Sequence, residues 1–315
     1  MKLWLIGTGP HSQEYAKVLL SCNYPFDVVG RGLESAHKFS KSTGIAVDKF
    51  DVDRSIISYG APEQAIISVS YDQLFIVAST LISSGTKYIL IEKPGALNAP
   101  DIKSLLLLAR EHQVAVYIAY NRRFYAATNL ARSLIQEDGG PTSCVFEFTE
   151  WSHTIDINKL PEITCESWMI ANSSHVVDLA FHLCGSPSDW KSWQHGSLPW
   201  HSSAARFSGA GITNKGVLFS YLADWDAPGR WGIEVLTRKR RFVFRPMENL
   251  YVTHRGSINL DSVSLDDSLD LKFKPGLYLQ TKAFLKDDPT FLCTLYEQSK
   301  MIDLYSDMAG YSRLV

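Results

Sequence analysis

The chain has 315 residues, of which 45% are apolar and 20% charged, with a formal net charge of −2. That length is more than one hydrophobic core usually supports, so two domains are expected; the composition excludes a disordered chain, and the near-neutral charge argues against a nucleic-acid partner or an acidic membrane surface. Five scattered cysteines, Cys22, Cys144, Cys165, Cys184 and Cys293, contain no C-x-x-C pair, which argues against a disulfide framework or a zinc site and fits a reducing cytoplasm.

The opening apolar run is too brief and too early for a signal peptide. The longest purely aliphatic stretch, Leu105 to Leu108, is far short of the ~20 residues that span a bilayer, so no membrane partner is expected. From the start, short apolar runs alternate with helical patterns. Lys2–Ile6 reads as a buried strand, followed by a glycine turn and a helix over Ser12–Ser21. Phe26–Val29 is the second strand, and Glu34–Thr43 a helix closed by Gly44. Ala65–Val69 is a strand, Leu74–Ser84 a helix ending at Gly85, and Tyr88–Ile91 a strand running into Glu92-Lys93-Pro94. A helix over Asp101–His112 and a strand over Val114–Ala119 complete the series. This alternation is that of a parallel sheet built from βαβ units, a doubly wound Rossmann-type α/β domain over residues 1–121.

Past Asn121 the texture changes, and residues 122–315 read as a second, α+β domain. A helix over Tyr125–Gln136 stops at Gly139-Gly140-Pro141. Alternating segments follow at Cys144–Phe148, Asp189–Gln194, Gly216–Tyr221, Trp231–Thr237, Arg241–Arg245 and Asn249–Thr253, and predict a large, mainly antiparallel sheet with one solvated face. Helices are expected at Ser173–Leu183, Tyr278–Leu285 and Thr290–Ser306. Arg238-Lys239-Arg240-Arg241 reads as the solvated tip of a hairpin.

In Gly7-Thr8-Gly9-Pro10-His11-Ser12, two glycines and a small third residue match G-x-G-x-x-G. The first glycine permits a tight turn, and the second lets the backbone approach a pyrophosphate seated on a helix N-terminus. The turn follows a strand and opens a helix, which is the context a dinucleotide site requires. The second strand ends in Val28-Val29-Gly30-Arg31-Gly32, with no acid to pair with a ribose 2′-hydroxyl. Arg31 stands where it can pair with a 2′-phosphate, or is a solvated loop arginine. NADP is therefore expected ahead of NAD. Ser70, beyond the strand at Ala65–Val69, together with Glu92 and Lys93 completes the expected cofactor contacts. Lys93 lies at the C-terminal end of a predicted parallel strand, where open α/β sheets bind ligands, and can offset alkoxide charge as a hydride leaves.

The glycine turn, Glu92-Lys93-Pro94, Tyr120-Asn121-Arg122-Arg123-Phe124, His175-Val176-Val177-Asp178-Leu179 and Lys274-Pro275-Gly276-Leu277-Tyr278 together resemble the glucose-fructose oxidoreductase/inositol dehydrogenase/MocA (Gfo/Idh/MocA) family over nearly the whole chain. The resemblance implies NAD(P)-dependent hydride transfer at a carbinol or carbonyl of a sugar, cyclitol or nucleotide sugar, with a place in surface-glycan metabolism. It implies Lys93 and His175 as the catalytic pair, and a homodimer or homotetramer formed through the C-terminal sheet.

One departure bears on chemistry. The family commonly carries an aspartate four residues before the histidine, and this chain has Ala171 there. Asn172 offers a hydrogen bond but cannot accept a proton at neutral pH. Lys93 and His175 are then left with the acid–base work, which suits an imidazole. Asp178 and His182 share a helix face with His175; this reads as Asp178 orienting His175 or capping backbone, with no metal expected. Tyr120, Asn121, Arg123, Trp151, Trp168, Asn172 and Asp178 are the candidate substrate contacts. Trp151 either stacks on a sugar ring or fills a sheet core, and Arg123 either holds an anionic group or forms a structural salt bridge. The competing readings are a redox-neutral enzyme with a tightly held cofactor and a dinucleotide-binding regulator without turnover.

Overall fold

A computed structural model describes residues 2–286 and 288–311. They form two compact units, one within residues 2–121 and 271–300, the other within residues 122–270 and 301–311. The chain passes from the first unit to the second after Asn121. Residues 271–300 return to the first unit, which a single division between residues 121 and 122 does not include. The return has a physical basis: strand Cys293–Thr294 adds to the edge of the first sheet, and helix Leu277–Leu285 packs on its first helix.

The first unit holds β1 (Leu3–Ile6), α1 (Pro10–Ser21), β2 (Phe26–Gly30), α2 (Leu33–Thr43), β3 (Lys49–Phe50), α3 (Val52–Tyr59), β4 (Gln64–Ile67), α4 (Leu74–Ser83), β5 (Tyr88–Glu92), α5 (Ala99–Glu111) and β6 (Ala115–Ala119). The strand order is β6-β5-β4-β1-β2-β3, all parallel, with Cys293–Thr294 antiparallel outside β6. β1 and β4 are buried at every residue, because helices cover both faces of a parallel sheet. The order reverses between β1 and β4, so a crevice opens at their carboxyl ends. β3 and α3 are additional to the elements read from sequence. α3 is announced by Asp51, whose carboxylate accepts from Arg54 N at 3.1 Å as an N-cap.

The second unit contains α6 (Ala126–Glu137), β7 (Ser143–Glu147), α7 (Glu162–Glu166), α8 (Ser174–Cys184), β8 (Pro187–His195), β9 (Arg206–Thr213), β10 (Leu218–Asp224), β11 (Gly232–Leu236), β12 (Arg240–Phe244), β13 (Tyr251–His254) and β14 (Asp261–Ser262). The sheet order is β14-β13-β12-β11-β7-β10-β9-β8, antiparallel except for the parallel pair β7–β10. Phe146, Phe219 and Tyr221 point to one face, where α8 brings Phe181 to 5.7 Å from Phe146 and 4.9 Å from Phe219 between ring centres. Val145, Leu218 and Leu222 alternate to the other, exposed face.

β9 is additional to the strands expected from the sequence, and it carries Gly209 and Gly211. Both glycines make room for rings on β10. A Cβ on Gly209 would stand 2.3 Å from the Tyr221 hydroxyl, and one on Gly211 would stand 2.7 Å from the Phe219 ring. The helix expected over Thr290–Ser306 is also corrected. Pro289–Phe291 is a 3₁₀ turn, Cys293–Thr294 is strand, and the helix runs Leu295–Ala309.

Candidate functional site

In the first unit the glycine turn lies at the carboxyl end of β1. Gly7 has φ 115° and donates to Val29 O at 2.9 Å. A Cβ there would sit 2.1 Å from the Ser68 carbonyl oxygen, to which Ser12 Oγ donates at 3.0 Å. The turn is therefore pressed against the end of β4. By contrast, a Cβ on Gly9 would meet nothing within 4 Å. Gly9 caps α1, Pro10 occupies the start of the helix, and the first turn carries no acidic residue. An open approach to the positive end of a helix fits an anionic pyrophosphate, so these residues fit a dinucleotide. Thr8 Oγ1 pairs with Ser35 Oγ at 2.8 Å, and a Cβ on Gly30 would press on Thr8 at 2.9 Å, which fixes the side of the turn facing β2.

The loop after β4 joins the remaining candidates. Ser70 opens a 3₁₀ turn, Tyr71–Gln73. Gln73 accepts from Arg31 Nη1 at 3.0 Å, and Tyr71 accepts through its hydroxyl from Lys93 Nζ at 3.2 Å. Burial raises the Asp72 carboxyl, but hydrogen bonds from Ser70, Gln73 and its own backbone and the Arg31 charge outweigh it and leave it below its ordinary value. Tyr71 was missed in the sequence, where its only signal is a position one residue past Ser70.

Lys93 follows the carboxyl end of β5 and is 6% exposed, with its ammonium 5.1 Å from the centre of the Tyr71 ring. Its neighbour Glu92 accepts from the Tyr15 hydroxyl and pairs with His11 Nε2, each at 2.7 Å. Burial pushes the Glu92 carboxyl up, but His11, Tyr15 and Lys93 hold it below its ordinary value; burial and Glu92 in turn push the Tyr15 hydroxyl well up. His11 also receives Lys274 Nζ at 3.0 Å on its other ring nitrogen. Two of the segments singled out in the sequence, Glu92-Lys93-Pro94 and Lys274-Pro275-Gly276, thus meet on one imidazole. Tyr120 and Asn121 are buried nearby in sequence. Asn121 Nδ2 donates to Pro275 O at 2.9 Å, and Gln298 Nε2 lies 3.3 Å from the Tyr120 hydroxyl.

In the second unit His175 sits in the first turn of α8 and is 8% exposed. The turn before it, Met169–Ser173, is a π-helix, a widened form that recurs at functional sites. Ala171 lies inside that turn, so spacing by an ordinary α-helical repeat does not apply there. Asn172 Nδ2 and Ser173 Oγ both donate to Glu150 Oε1, at 3.0 and 2.6 Å, and Glu150 is 4% exposed. A buried carboxylate therefore reaches the residues just before His175 from beyond β7. Glu150 is not among the candidates read from the sequence, where its only signal is a place just past a strand end.

Asp178 holds Arg123 through two hydrogen bonds, and both are buried, which is the structural alternative weighed for Arg123. His182, one turn further on, lies 3.3 Å from Arg132 Nη1. Trp151 is 47% exposed, which removes the reading of it as a sheet-core tryptophan, and its Nε1 donates to Gly229 O at 2.8 Å. Trp168 meets Trp200 edge to face at 5.9 Å. The Trp231 ring lies 6.3 Å from that of His175, and the guanidinium carbons of Arg122 and Arg230 lie 4.7 and 5.2 Å from the Trp231 ring centre.

Residues 1–120 match the oxidoreductase family with an NAD-binding Rossmann fold, GFO_IDH_MocA. No functionally curated protein matches the chain in sequence. Among solved structures, the UDP-N-acetylglucosamine 3-dehydrogenase GnnA of Acidithiobacillus ferrooxidans superposes with a TM-score of 0.73 at 18% identity, over 97% of this chain and 95% of its own. Levoglucosan dehydrogenase in complex with NADH and levoglucosan gives 0.78 at 17% identity, over 99% and 97%. An NAD binding oxidoreductase from Klebsiella pneumoniae gives 0.76 at 14%, over 99% and 97%. These likenesses establish the fold of both units. Among the described residues, no helix is long and apolar enough to cross a membrane.

Proposed function

We propose, from the match of residues 1–120 to the Gfo/Idh/MocA oxidoreductase family, that the chain oxidises a CH–OH group of a sugar, cyclitol or nucleotide sugar, or reduces the matching carbonyl. The observation that carries the reading is Lys93, a buried cation at the carboxyl end of β5 in the same unit as the open glycine turn. Similarity in fold to a levoglucosan dehydrogenase and a UDP-N-acetylglucosamine 3-dehydrogenase supports a sugar-type substrate.

The dinucleotide, when bound, supplies the acceptor or donor of hydride. Gly7, Thr8, Gly9, Pro10, His11 and Ser12 form the turn that holds its phosphates. The chain's own chemistry is proton handling. Oxidation of a carbinol removes a hydride from carbon and a proton from oxygen, and leaves C=O. Lys93 donates a hydrogen bond to the reacting oxygen and offsets its developing charge, and His175 takes the proton. Tyr71 holds the Lys93 ammonium in place. Glu150 acts through Asn172 and Ser173 on the turn that carries His175, in the part of the chain where Ala171 supplies no carboxylate.

Arg31, exposed beside β2 with no acid at the strand tip, supports NADP ahead of NAD. Val145, Leu218, Leu222 and Trp193 share the open face of the second sheet and are each more than 40% exposed, which supports a homodimer or homotetramer built on that face. Scattered free cysteines support a cytoplasmic location. Ala171 also favours a second reading, a dinucleotide-binding regulator without turnover.

The test is to purify the chain, identify any nucleotide it releases, and follow reduced-nicotinamide absorbance with polyols, sugars and nucleotide sugars. Turnover abolished by Lys93→Met supports the enzyme; binding of dinucleotide without turnover on any carbinol supports the regulator. Absence of dinucleotide binding overturns both. Light scattering on Leu222→Glu reports on the sheet face, and a wild-type monomer refutes the oligomer.

A further inference from the structure

The second unit carries two guanidinium groups that no carboxylate neutralises among the described residues. Arg122 and Arg230 both stack on Trp231, at 4.7 and 5.2 Å, and Arg230 also lies 4.5 Å from the Trp151 ring centre. Neither has an ion pair or hydrogen-bond acceptor among the described residues. Arg122 Nε and Trp231 Nε1 are buried donors without an acceptor. Two carboxylates of the same unit are engaged by other groups. Glu147, against which a Cβ on Gly229 would press, accepts from Arg245 at 2.8 Å, and Glu150 accepts from Asn172 and Ser173. Two like charges on one indole, with buried donors left over, make an arrangement completed by an oxyanion. His175 also neighbours Trp231, with ring centres 6.3 Å apart.

We propose that Arg122 and Arg230, bridged by Trp231, form a subsite for an oxyanion on the substrate, so that the preferred substrate is a negatively charged sugar and not a neutral polyol. The subsite rests on the proposed function in taking His175 as the substrate-facing group. Phosphate and carboxylate share the chemistry that two guanidiniums recognise. Trp151, held by its hydrogen bond to Gly229, offers its exposed ring to the sugar on the Arg230 side.

Calorimetry on the full chain with glucose 6-phosphate, UDP-glucose, glucuronate and glucose, with and without NADPH, tests this. The expected result is that at least one charged probe binds about tenfold or more tightly than glucose, as charge-assisted hydrogen bonds imply. Arg230→Gln and Arg122→Gln should each remove about fivefold or more of that preference, Arg230→Lys should retain part of it, and the dinucleotide affinity should not move. The phosphate and glucuronate arms separate the two sources of charge. Equal binding of glucose and all charged probes, no binding of any charged probe, or a preference untouched by Arg230→Gln each overturn the subsite. Loss of dinucleotide binding is read separately and sinks the proposed function alone. Arg230 is exposed and carries no hydrogen bond, so its variants test the idea even where Arg122→Gln disturbs folding.

Discussion

Arg123 grips Asp178 with two parallel hydrogen bonds, Nε to Oδ2 at 2.9 Å and Nη2 to Oδ1 at 2.6 Å. The side chains are 3% and 1% exposed, so neither charge is offset by water. Removing one member takes the opposite charge away from a buried ion, which typically costs ~3–5 kcal/mol. Arg123→Met and Asp178→Leu are expected to lose stability on that scale in urea denaturation, and the double variant to recover much of it. Single variants that unfold at the wild-type midpoint would show that the pair is not the structural lock described.

The two glycines of the first turn separate folding from binding. A Cβ on Gly7 collides with the Ser68 carbonyl, whereas one on Gly9 meets no protein atom within 4 Å. Gly7→Ala is expected to lower the melting temperature by several degrees. Gly9→Ala is expected to melt like the wild type and yet bind dinucleotide about tenfold or more weakly, because its methyl group occupies the pyrophosphate approach. Nucleotide titration beside thermal melts decides the matter, and unchanged affinity in Gly9→Ala removes the turn from the cofactor site.

His182 sets a pH dependence whose sign follows from its surroundings. Burial, then the charges of Arg123, Arg132 and Lys215, hold its imidazole well below the ordinary value of 6.5. As pH falls below that value, the unfolded chain takes up a proton that the folded chain refuses. This contribution to stability is therefore complete above about pH 7 and declines below it by up to about 1.4 kcal/mol per pH unit. Denaturation midpoints between pH 5 and 8 should slope downward towards acid, and His182→Gln should flatten the slope. An unchanged slope contradicts the assignment.

Glu150 is expected to act on catalysis more than on folding when its shape is kept. Glu150→Gln should lower kcat by about tenfold or more with little change in melting temperature, while Glu150→Ala should also destabilise, since the Asn172 and Ser173 donors lose their acceptor at ~1–3 kcal/mol. A kcat equal to wild type in Glu150→Gln would reduce this carboxylate to a structural role.

The first unit was largely legible because its parallel strands are buried on both faces and read as plain apolar runs, closed by glycines at fixed places. β3 and α3 escaped because a two-residue strand has no period, although the Asp51 cap was visible. β9 escaped because its glycines answer to rings on β10, a tertiary cause with no local signature. The site followed the same divide. Lys93, His175 and the glycine turn stand in local motifs. The grip of Asp178 on Arg123, the reach of Glu150 to Asn172, and the convergence of Arg122 and Arg230 on Trp231 join residues far apart in the chain, and only the fold reveals them.

The π-turn ahead of α8 has a consequence for comparing this chain with its relatives. Such a turn holds about one residue more than an α-helical turn, so the side chains before it rotate by about a quarter-circle relative to those after it. Counting back from His175 in steps of four therefore does not follow the ordinary α-helical repeat. A position that looks emptied of its acid in a pairwise alignment can have had its neighbours re-aimed, with the charge supplied from an adjoining strand terminus. Superposition in space, and not gap-free spacing, is the sound basis for judging which members of this fold have kept their chemistry.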